Sequence, residues 1–409
     1  MYLTLSKRFE FCASHRCYVP EWSERQNSET FGDESRGEYG HGHNYELFLI
    51  FQGPVEVKTG MMINFSDIKE KVKKLLSDNY DHKFLNRDTA TFGKIVPTEE
   101  NVAKTILSEA VHLFKNHSAM PVACHLNQSA ASSATAFADG RVERCRTVHF
   151  SAARRTYSPH MSEEENLKLF GISAAPSGHG HNYRLDIVWD ENTADKNVRA
   201  VSEGKVQKSS AQISSELDHK NLNLDVPGLK GEAITTETLA RYIWKKLEHE
   251  LPLKRIRLYE NPDFFVECHG ENAFYMGVAT EFSAAHRLHS GALSAKENET
   301  VYGKCNNPAG HGHQYRVECT VAGKLDEKSG TVMDLMKLNG ILSGTISTWN
   351  YKNLDKEVEE FKNKPSTGEN IVIALWKKLE SSPGNELYRL RLWETPNNRF
   401  TIRREVYTT

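Results

Sequence analysis

The pattern of apolar and polar residues along the chain predicts a repeating series of strands and helices. Residues 41–52 alternate, with apolar side chains at every second position, which is typical of a strand with one buried face. Farther along, Ile68, Val72 and Leu76 recur at helical spacing. A helix is therefore predicted there, with Ser66 as its N-cap.

The following segment completes the first structural unit. Thr98 is predicted to cap a second helix, with Glu99 in its first turn, where a negative charge is favourable. Residues 122–128 are predicted to form a strand, and residues 129–140 a hairpin and linker. Residues 16–40 are predicted to be a long polar loop. The unit therefore has the order strand–strand–helix–helix–strand–strand.

This unit occurs three times, marked by His-Gly-His at residues 41–43, 179–181 and 311–313. A repeated motif sets the architecture of a chain. Each unit alone leaves two bare sheet edges, and closing three units side by side removes them. We therefore expect an α+β fold with three repeats. The predicted repeats are residues 1–140, 141–270 and 271–409.

Composition narrows the class of protein. The 409 residues carry a net charge of −2, whereas general nucleic-acid and membrane-surface binders carry a basic excess. Residues 1–10 lack the apolar core of a signal peptide, and the longest apolar run, residues 47–51, is too short to span a bilayer. The seven cysteines include no Cys-x-x-Cys pair. We expect a reduced, cytoplasmic protein.

Three histidines in repeat three are candidate metal ligands. His311 and His313 lie on one face of a strand, and His286 ends the strand before it. Three neutral imidazoles with an open fourth position are typical of catalytic Zn²⁺. A hydrogen-bonded polar pair is the alternative, but the recurrence of the triplet in repeat one favours a metal. The repeat-one triplet is His15, His41 and His43.

Repeat two departs from this pattern. Arg154 stands where the other repeats have His15 and His286, and a guanidinium does not deprotonate to bind zinc. We expect His179 and His181 to be left without a metal, or with a water-filled two-ligand site.

Cys305, six residues before His311, is a candidate proton-transfer group. A nearby dication would lower the pKa of its thiol. The alternative is a buried structural cysteine. Counting six residues back from the other two motifs gives Ser35 and Ser173 as the equivalents.

Two further groups recur. An Asp-His pair occurs at residues 81–82 and 218–219, with Asn350-Tyr351 in repeat three. A carboxylate can orient an imidazole for proton transfer, although a solvated turn is the alternative. Glu260 and Glu394 end equivalent strands, where a carboxylate can accept two hydrogen bonds from an amidine-like edge. The alternative is an exposed acid, and repeat one has Gln128 there.

These motifs resemble the 6-pyruvoyl tetrahydropterin synthase family, and the resemblance covers nearly all of the chain three times. It implies the tunnelling fold, in which three four-stranded sheets with two helices each close a twelve-stranded barrel. It also implies a zinc-dependent lyase of tetrahydrobiopterin synthesis that removes triphosphate from 7,8-dihydroneopterin triphosphate and tautomerises the side chain. The segments that carry it are residues 303–313, 282–286, 393–395, 217–222 and 235–237.

In that family the pocket lies between neighbouring units, and the Asp-His pair comes from the next unit. We therefore expect one composite pocket, in which Cys305 meets Asp81 and His82 with Thr98 and Glu99 nearby. Asp218 and His219 are the alternative donors. The resemblance implies that the substrate-binding set is Glu394, Glu260, Thr98, Glu99, Thr235 and Thr236.

Two other functions remain open. Glu38 lies three residues before His41, which resembles the branch that forms 6-hydroxymethyl-7,8-dihydropterin for folate synthesis. A barrel that binds pterin or zinc without catalysis is the third reading. Related trimers pair face to face, so two chains are expected to stack as a homodimer.

Overall fold

The computed structural model describes residues 2–382 and 386–404. Repeat one contains β1 (Tyr2–His15), α1 (Glu24–Phe31), β2 (His41–Gln52), α2 (Phe65–Asn79), β3 (Lys83–Phe84), α3 (Leu85–Asp88), α4 (Glu99–Leu113), β4 (Met120–Asn127) and β5 (Ser132–Phe137). Repeat two contains β6 (Val142–Arg154), α5 (Glu163–Phe170), β7 (His179–Asp190), α6 (Glu203–Leu217), β8 (Lys220–Asn221), α7 (Thr236–Leu247), β9 (Leu253–Asn261) and β10 (Phe264–Cys268). Repeat three contains β11 (Phe274–His286), α8 (Ala295–Tyr302), β12 (His311–Gly323), α9 (Leu335–Ser347), β13 (Lys352–Asn353), α10 (Leu354–Glu357), α11 (Gly368–Glu380), β14 (Leu387–Thr395) and β15 (Asn398–Arg403).

Twelve long strands form one closed antiparallel barrel, as expected. The order around the ring is β1-β2-β4-β5-β6-β7-β9-β10-β11-β12-β14-β15, and β15 returns to β1. The repeats meet where β5 pairs with β6, β10 with β11 and β15 with β1. The short strands β3, β8 and β13 add parallel pairs to β1, β6 and β11.

The hydrophobic core lies between the outer face of the barrel and the helices. On β2, Leu47, Leu49 and Phe51 are fully buried, and they belong to the same cluster as Ile68 and Val72 of α2. Alternation on the strand and helical spacing on α2 therefore meet at one interface, as the sequence pattern predicts. The opposite face of every long strand is left to line the lumen.

Several local predictions are corrected. The side chain of Asn64, not Ser66, caps α2 by accepting a hydrogen bond from the Ser66 backbone N–H at 2.8 Å. Thr98 caps α4 as expected. The polar segment 16–40 contains helix α1, which Ser23 caps through a reciprocal capping box. Within residues 129–140, predicted to form a hairpin and linker, β5 is the strand that completes a hairpin with β4.

The repeats interlock in one direction. The first turn of α11 docks on repeat one, where Glu369 accepts a hydrogen bond from the Met62 N–H at 2.9 Å. The first turn of α7 docks likewise on repeat three, where Glu237 accepts from the Val332 N–H at 3.2 Å. Asn101 of α4 donates to the Lys196 carbonyl of repeat two at 2.7 Å. The three contact regions are called the three-to-one, two-to-three and one-to-two junctions.

Among the described residues, no helix has the length and apolar character needed to cross a membrane.

Candidate active site

The three histidines of repeat three converge as predicted. His286 at the end of β11 pairs in register with His311 at the start of β12, and their Nε2 atoms lie 3.1 Å apart. Ligand atoms of His286, His311 and His313 all lie within 4.8 Å of one another. Nδ1 of His286 contacts the Ser366 carbonyl at 2.9 Å. That bond turns Nε2 toward the centre of the triad, the arrangement that holds metal-binding imidazoles in place.

The repeat-one triad has the same form. His15, His41 and His43 also converge within 4.8 Å, and Nδ1 of His15 contacts the Pro97 carbonyl at 2.7 Å. Nε2 of His15 and Nε2 of His43 are buried and have no hydrogen-bond partner among the described residues. Burial lowers the pKa of His15 to about 4. Since a metal needs neutral imidazole, both triads fit Zn²⁺.

Cys305 lies in a helical turn, residues 303–306, directly after α8. Its carbonyl accepts a hydrogen bond from the Leu288 N–H at 2.9 Å, and its side chain is half-buried. Burial raises the pKa of the thiol, and the nearby charge of Glu394 raises it further. Without a neighbouring cation the thiol would therefore stay protonated at neutral pH.

The backbone identifies the true equivalents of Cys305. The Leu288–Cys305 hydrogen bond has counterparts from the Thr156 N–H to the Ser173 carbonyl at 2.9 Å and from the Cys17 N–H to the Glu34 carbonyl at 3.0 Å. Ser173 is therefore equivalent, as expected, but in repeat one the equivalent is Glu34 and not Ser35. Repeat one has one extra residue between this turn and its His-Gly-His, so counting back from the histidine gives the wrong residue.

Glu34 is locked in place. Gln128 donates a hydrogen bond from its amide to Glu34, and Arg199 of repeat two forms an ion pair with Glu34 at 3.4 Å. Burial opposes ionisation, but the positive charges of Arg199 and Arg144 help lower the pKa of Glu34 to about 2. This carboxylate therefore closes the repeat-one pocket with a buried charge pair. Glu38, in contrast, is exposed on the loop before His41.

Repeat two is closed by a different ion pair. Arg154 of β6 forms a salt bridge with Glu260 of β9, and Thr236 donates a hydrogen bond to the same carboxylate at 2.6 Å. Nε2 of His181 lies 3.0 Å from the other oxygen of Glu260. Although burial opposes it, Arg154 and these hydrogen bonds lower the pKa of Glu260 to about 2. Both oxygens of this carboxylate are thus already in use.

Glu394 in repeat three is held less tightly. Its Oε1 lies 3.9 Å from Nε2 of His286, and Asn398 donates to its Oε2 at 3.3 Å. Among the described residues no arginine or lysine forms a salt bridge with it. Glu394 therefore keeps a carboxylate acceptor for a ligand, which Glu260 does not.

A second carboxyl, Glu369, was missing from the predicted set. It is fully buried at the start of α11, and burial, with a smaller contribution from the charge of Glu394, raises its pKa to about 7. The signal was available in the sequence, because residues 366–370 align with residues 97–101 and with residues 234–238. The aligned carboxyls are Glu100, Glu237 and Glu369.

The remaining predicted substrate residues lie at other junctions. Glu99 accepts hydrogen bonds from Arg144 at 2.9 Å and from Ser132 at 2.8 Å. Both Glu99 and Thr98 therefore belong to the one-to-two junction. They were expected to lie beside Cys305, and this junction does not bring them there. Thr235 donates to the Gly330 carbonyl at 2.6 Å in the two-to-three junction.

Both Asp-His pairs adopt the expected internal contact. Nδ1 of His82 lies 3.1 Å from Asp81, and Nδ1 of His219 lies 2.9 Å from Asp218. Asp81 also accepts a hydrogen bond from the Cys12 N–H at 2.9 Å, which is the main reason that its pKa is lowered. The residue after the acid has a positive φ in all three repeats. These residues are His82 at 57°, His219 at 56° and Tyr351 at 59°.

The left-handed conformation is unfavourable for residues other than glycine. Its presence at this position in all three repeats indicates that the surrounding structure holds the backbone there. In repeat three, Asn350 accepts a hydrogen bond from the Ser283 N–H at 2.9 Å, as Asp81 does from Cys12. Repeat three thus keeps the backbone of this motif but not its acid–imidazole chemistry.

Comparison with known proteins agrees with this geometry. The family model described as 6-pyruvoyl tetrahydropterin synthase matches residues 4–136, 144–271 and 275–405. The chain belongs to this family.

Relatives match about one repeat each. The 6-pyruvoyl tetrahydrobiopterin synthase of Poecilia reticulata is 44% identical over 137 residues, which is 33% of this chain and 93% of that protein. The Homo sapiens protein of the same name is 44% identical over 119 residues, 29% of this chain and 82% of that protein. A solved structure of Caenorhabditis elegans 6-pyruvoyl tetrahydropterin synthase has a TM-score of 0.32 at 44% identity, covering 32% of this chain and 96% of that one.

Within this three-repeat synthase fold, Cys305 and the Asp81–His82 pair approach the same junction. Three residues before Cys305, Tyr302 donates a hydrogen bond to the Thr59 carbonyl of repeat one at 2.7 Å. The Asp81–His82 loop leads into β3, and β3 pairs with the edge of β1 opposite β2, the edge that also pairs with β15 of repeat three. Their direct contact stays a prediction.

Proposed function

We propose that the protein is a 6-pyruvoyl tetrahydropterin synthase with one complete pocket, built on repeat three and completed by repeat one. The observation that carries this proposal is the distribution of buried charge among the repeats. Arg154 occupies the strand-end carboxylate of Glu260 in repeat two. In repeat one, Arg199 pairs with Glu34, which stands where repeat three has its thiol. Repeat three combines three convergent imidazoles, a thiol and a carboxylate with a free acceptor.

The proposed substrate is 7,8-dihydroneopterin triphosphate. Zn²⁺ on His286, His311 and His313 would supply Lewis-acid polarisation of the side-chain oxygens. Cys305 accepts a proton from carbon at Sγ and returns it elsewhere on the side chain. The triphosphate oxygen leaves with the electron pair of its C–O bond, and tautomerisation completes the reaction without an oxidant.

The carboxyls orient the ring system. Glu394 offers acceptors to the amino and ring N–H groups of the pterin. Glu369 has a pKa of about 7, so it can be present partly as a neutral acid beside the charged Glu394. Like charges in one site favour that division. His82, oriented by Asp81, relays the proton between Cys305 and solvent.

The direction of interlocking supports repeat one as the donor. Cys305 follows α8, which contacts repeat one, whereas Asp218 lies on the repeat that contacts repeat one from its other side. By the same direction we expect Asn350 and Tyr351 at the two-to-three junction, beside the pocket that Arg154 closes. The missing acid–imidazole pair and the missing metal site would then fall in one pocket.

The decisive experiment is product analysis after incubation of the zinc-loaded protein with 7,8-dihydroneopterin triphosphate. We expect pyruvoyl product and inorganic triphosphate. Cys305→Ala should lower kcat by about 10²–10⁴-fold, the usual loss when a general base is removed. Ser173→Ala, at the equivalent position of repeat two, is the matched control and should leave kcat unchanged.

Other outcomes point to other functions. Hydroxymethyl product that survives Cys305→Ala and is lost in Glu38→Ala would replace the proposal with the folate-route reaction. Bound zinc without turnover would make the protein a binding barrel. All seven cysteines are free thiols, which supports the proposal of a reducing, cytoplasmic setting. Light scattering would test the proposed stacking of two chains.

A further inference from the structure

The lumen of the barrel is a cavity of about 1120 Å³. It is lined by the strand faces that point away from the helices, with contributions from all three repeats. The histidine triads lie on the other, helix-covered face of the sheet. The lumen is therefore separate from the proposed catalytic pocket and belongs to no step of the proposed reaction.

Arginines dominate one wall of this cavity. Arg257 and Arg389 both reach the same oxygen of Glu267, each at 2.6 Å. Arg391 lies 3.0 Å from Glu318, which Arg389 also approaches, at 3.5 Å. Two carboxylates are thus shared by three guanidinium groups.

Arg399 adds a fourth cation without a third acid. No carboxylate of the described chain lies within salt-bridge distance of it, and its Nε is buried without a hydrogen-bond partner. Nε of Arg391 is buried without a partner as well. Burial first, and then neighbouring arginines, lower the pKa of Arg391 to about 9 and help lower that of Arg399 to about 10.

Other arginines of the lumen show that this surplus is local. Arg255, two residues from Arg257 on β9, pairs with Glu143 at 2.8 Å, and Arg184 pairs with Asp186 at 3.0 Å, one acid for each arginine. A barrel that needed only polar side chains in its lumen would pair every arginine in this way, because unpaired buried charge is costly. The unbalanced wall therefore points to a missing anion.

We propose that the lumen binds a phosphate-chain anion on Arg257, Arg389, Arg391 and Arg399. Planar guanidinium groups with free N–H donors match phosphate oxygens in pairs. A cavity of about 1120 Å³ holds a chain of phosphates rather than one alone. A linear anion with several negative charges would neutralise the surplus and supply acceptors to the unpartnered Nε–H groups.

Isothermal titration calorimetry with sodium triphosphate tests this proposal on the full chain. We expect one ion per chain, with affinity that falls steeply between 0.05 and 0.5 M salt, as about four charged contacts require. Arg391→Gln/Arg399→Gln should weaken binding at least about 10-fold, because it removes two charged hydrogen-bond donors. Arg25→Gln, on the exposed surface, is the control and should change nothing.

Two further titrations distinguish which kind of anion the lumen binds, and a melting experiment checks that the variant is folded. ATP in place of triphosphate tests whether the lumen accepts a nucleotide, and orthophosphate tests whether a chain is needed. Thermal melting checks folding, and the double variant should melt no lower than wild type because it removes mutual repulsion. Binding that persists in a folded double variant, or no heat with wild type at 1 mM triphosphate, overturns the proposal. Cys305→Ala should bind as wild type does.

Discussion

His286 in repeat three and Arg154 in repeat two end equivalent strands, and the single difference reorganises the whole pocket around them. His286 turns Nε2 toward two further imidazoles. Arg154 instead places a permanent cation there and draws Glu260 into a salt bridge. Under the proposed function, a metal ion and the end of a pterin ring would lose their ligands together in repeat two. A single side chain thus puts an ion pair where repeat three has converging imidazoles.

The pocket of repeat one is also closed by a charge pair, but through different residues. Its histidine triad is intact, but Glu34 replaces the thiol and holds both Gln128 and Arg199. Arg199 comes from repeat two, so the closed pocket also ties two repeats together. Because the three units are fused in one chain, the residues of each pocket can differ from those of the other two. In a trimer of identical subunits one change would alter every pocket.

The largest expected effect concerns the two Asp-His pairs. His82→Ala should lower kcat by about 10²–10⁴-fold, the range for loss of an acid–base group, while His219→Ala should leave kcat within about twofold. Both imidazoles are about 80% exposed, at 80% and 82%, so neither change should affect folding. Steady-state kinetics with purified variants measures the contrast. The reverse result, loss in His219→Ala alone, would assign the pocket to the other neighbour.

The second prediction concerns the stability of the closed pocket in repeat two. Arg154→Met leaves Glu260 buried without its cation, which should lower the free energy of unfolding by about 3–5 kcal/mol. Arg154→Met/Glu260→Gln removes both charges and should recover much of that loss. Denaturant titration at pH 7 gives the comparison. Equal destabilisation in both variants would mean that lost packing, not the unpaired carboxylate, causes the effect.

Much of the fold was predictable from local pattern. Period-two alternation in residues 41–52 and the helical spacing of Ile68 and Val72 both proved correct, because the buried face of each element repeats with its own geometry. The three His-Gly-His motifs then predicted three units that close one barrel. Helix α1 was missed because its residues are mostly polar and only Asn27 and Phe31 are buried.

The site was less predictable where contacts cross between repeats. The histidine triads follow from strand alternation and neighbouring registers, so sequence spacing sufficed. Glu34 was missed because an inserted residue shifts the count from His41. The role of Arg199 was not visible either, since it lies 165 positions from Glu34 and meets it only when the ring closes. Long-range charge pairs of this kind leave no local pattern.

The third prediction rebuilds the lost metal site. Arg154→His should restore a triad with His179 and His181, and it should remove the cation that repels a metal. Metal analysis after zinc loading and dialysis should rise by one ion per chain, from two to three, because three imidazoles make a zinc site. Arg154→Lys is the matched control and should not bind the third ion. An unchanged count in a folded Arg154→His variant would contradict the assignment of repeat two.

The smallest expected effect separates structural from catalytic acids. Burial raises the pKa of Glu237 from 4.5 to about 7, so this acid is protonated in the fold at pH values where the unfolded chain is ionised. Folding stability should therefore fall as pH rises from about 4.5 through about 7, by about 1–3 kcal/mol for this group. Glu237→Gln keeps an acceptor for the Val332 N–H and should flatten that fall. Glu369 contributes in the same way, so part of the slope should remain.

Unfolding free energies at pH 5 and pH 8 measure this difference, with exposed Glu232→Gln as the control. Activity adds the comparison between repeats, because Glu237 lies in the pocket that Arg154 closes, whereas Glu369 lies beside Glu394 in the proposed working pocket. Glu237→Gln should change stability and leave kcat and KM unaltered, and Glu369→Gln should raise KM as well. If both variants changed only stability, Glu369 would be a structural acid and Glu394 would bind the pterin alone.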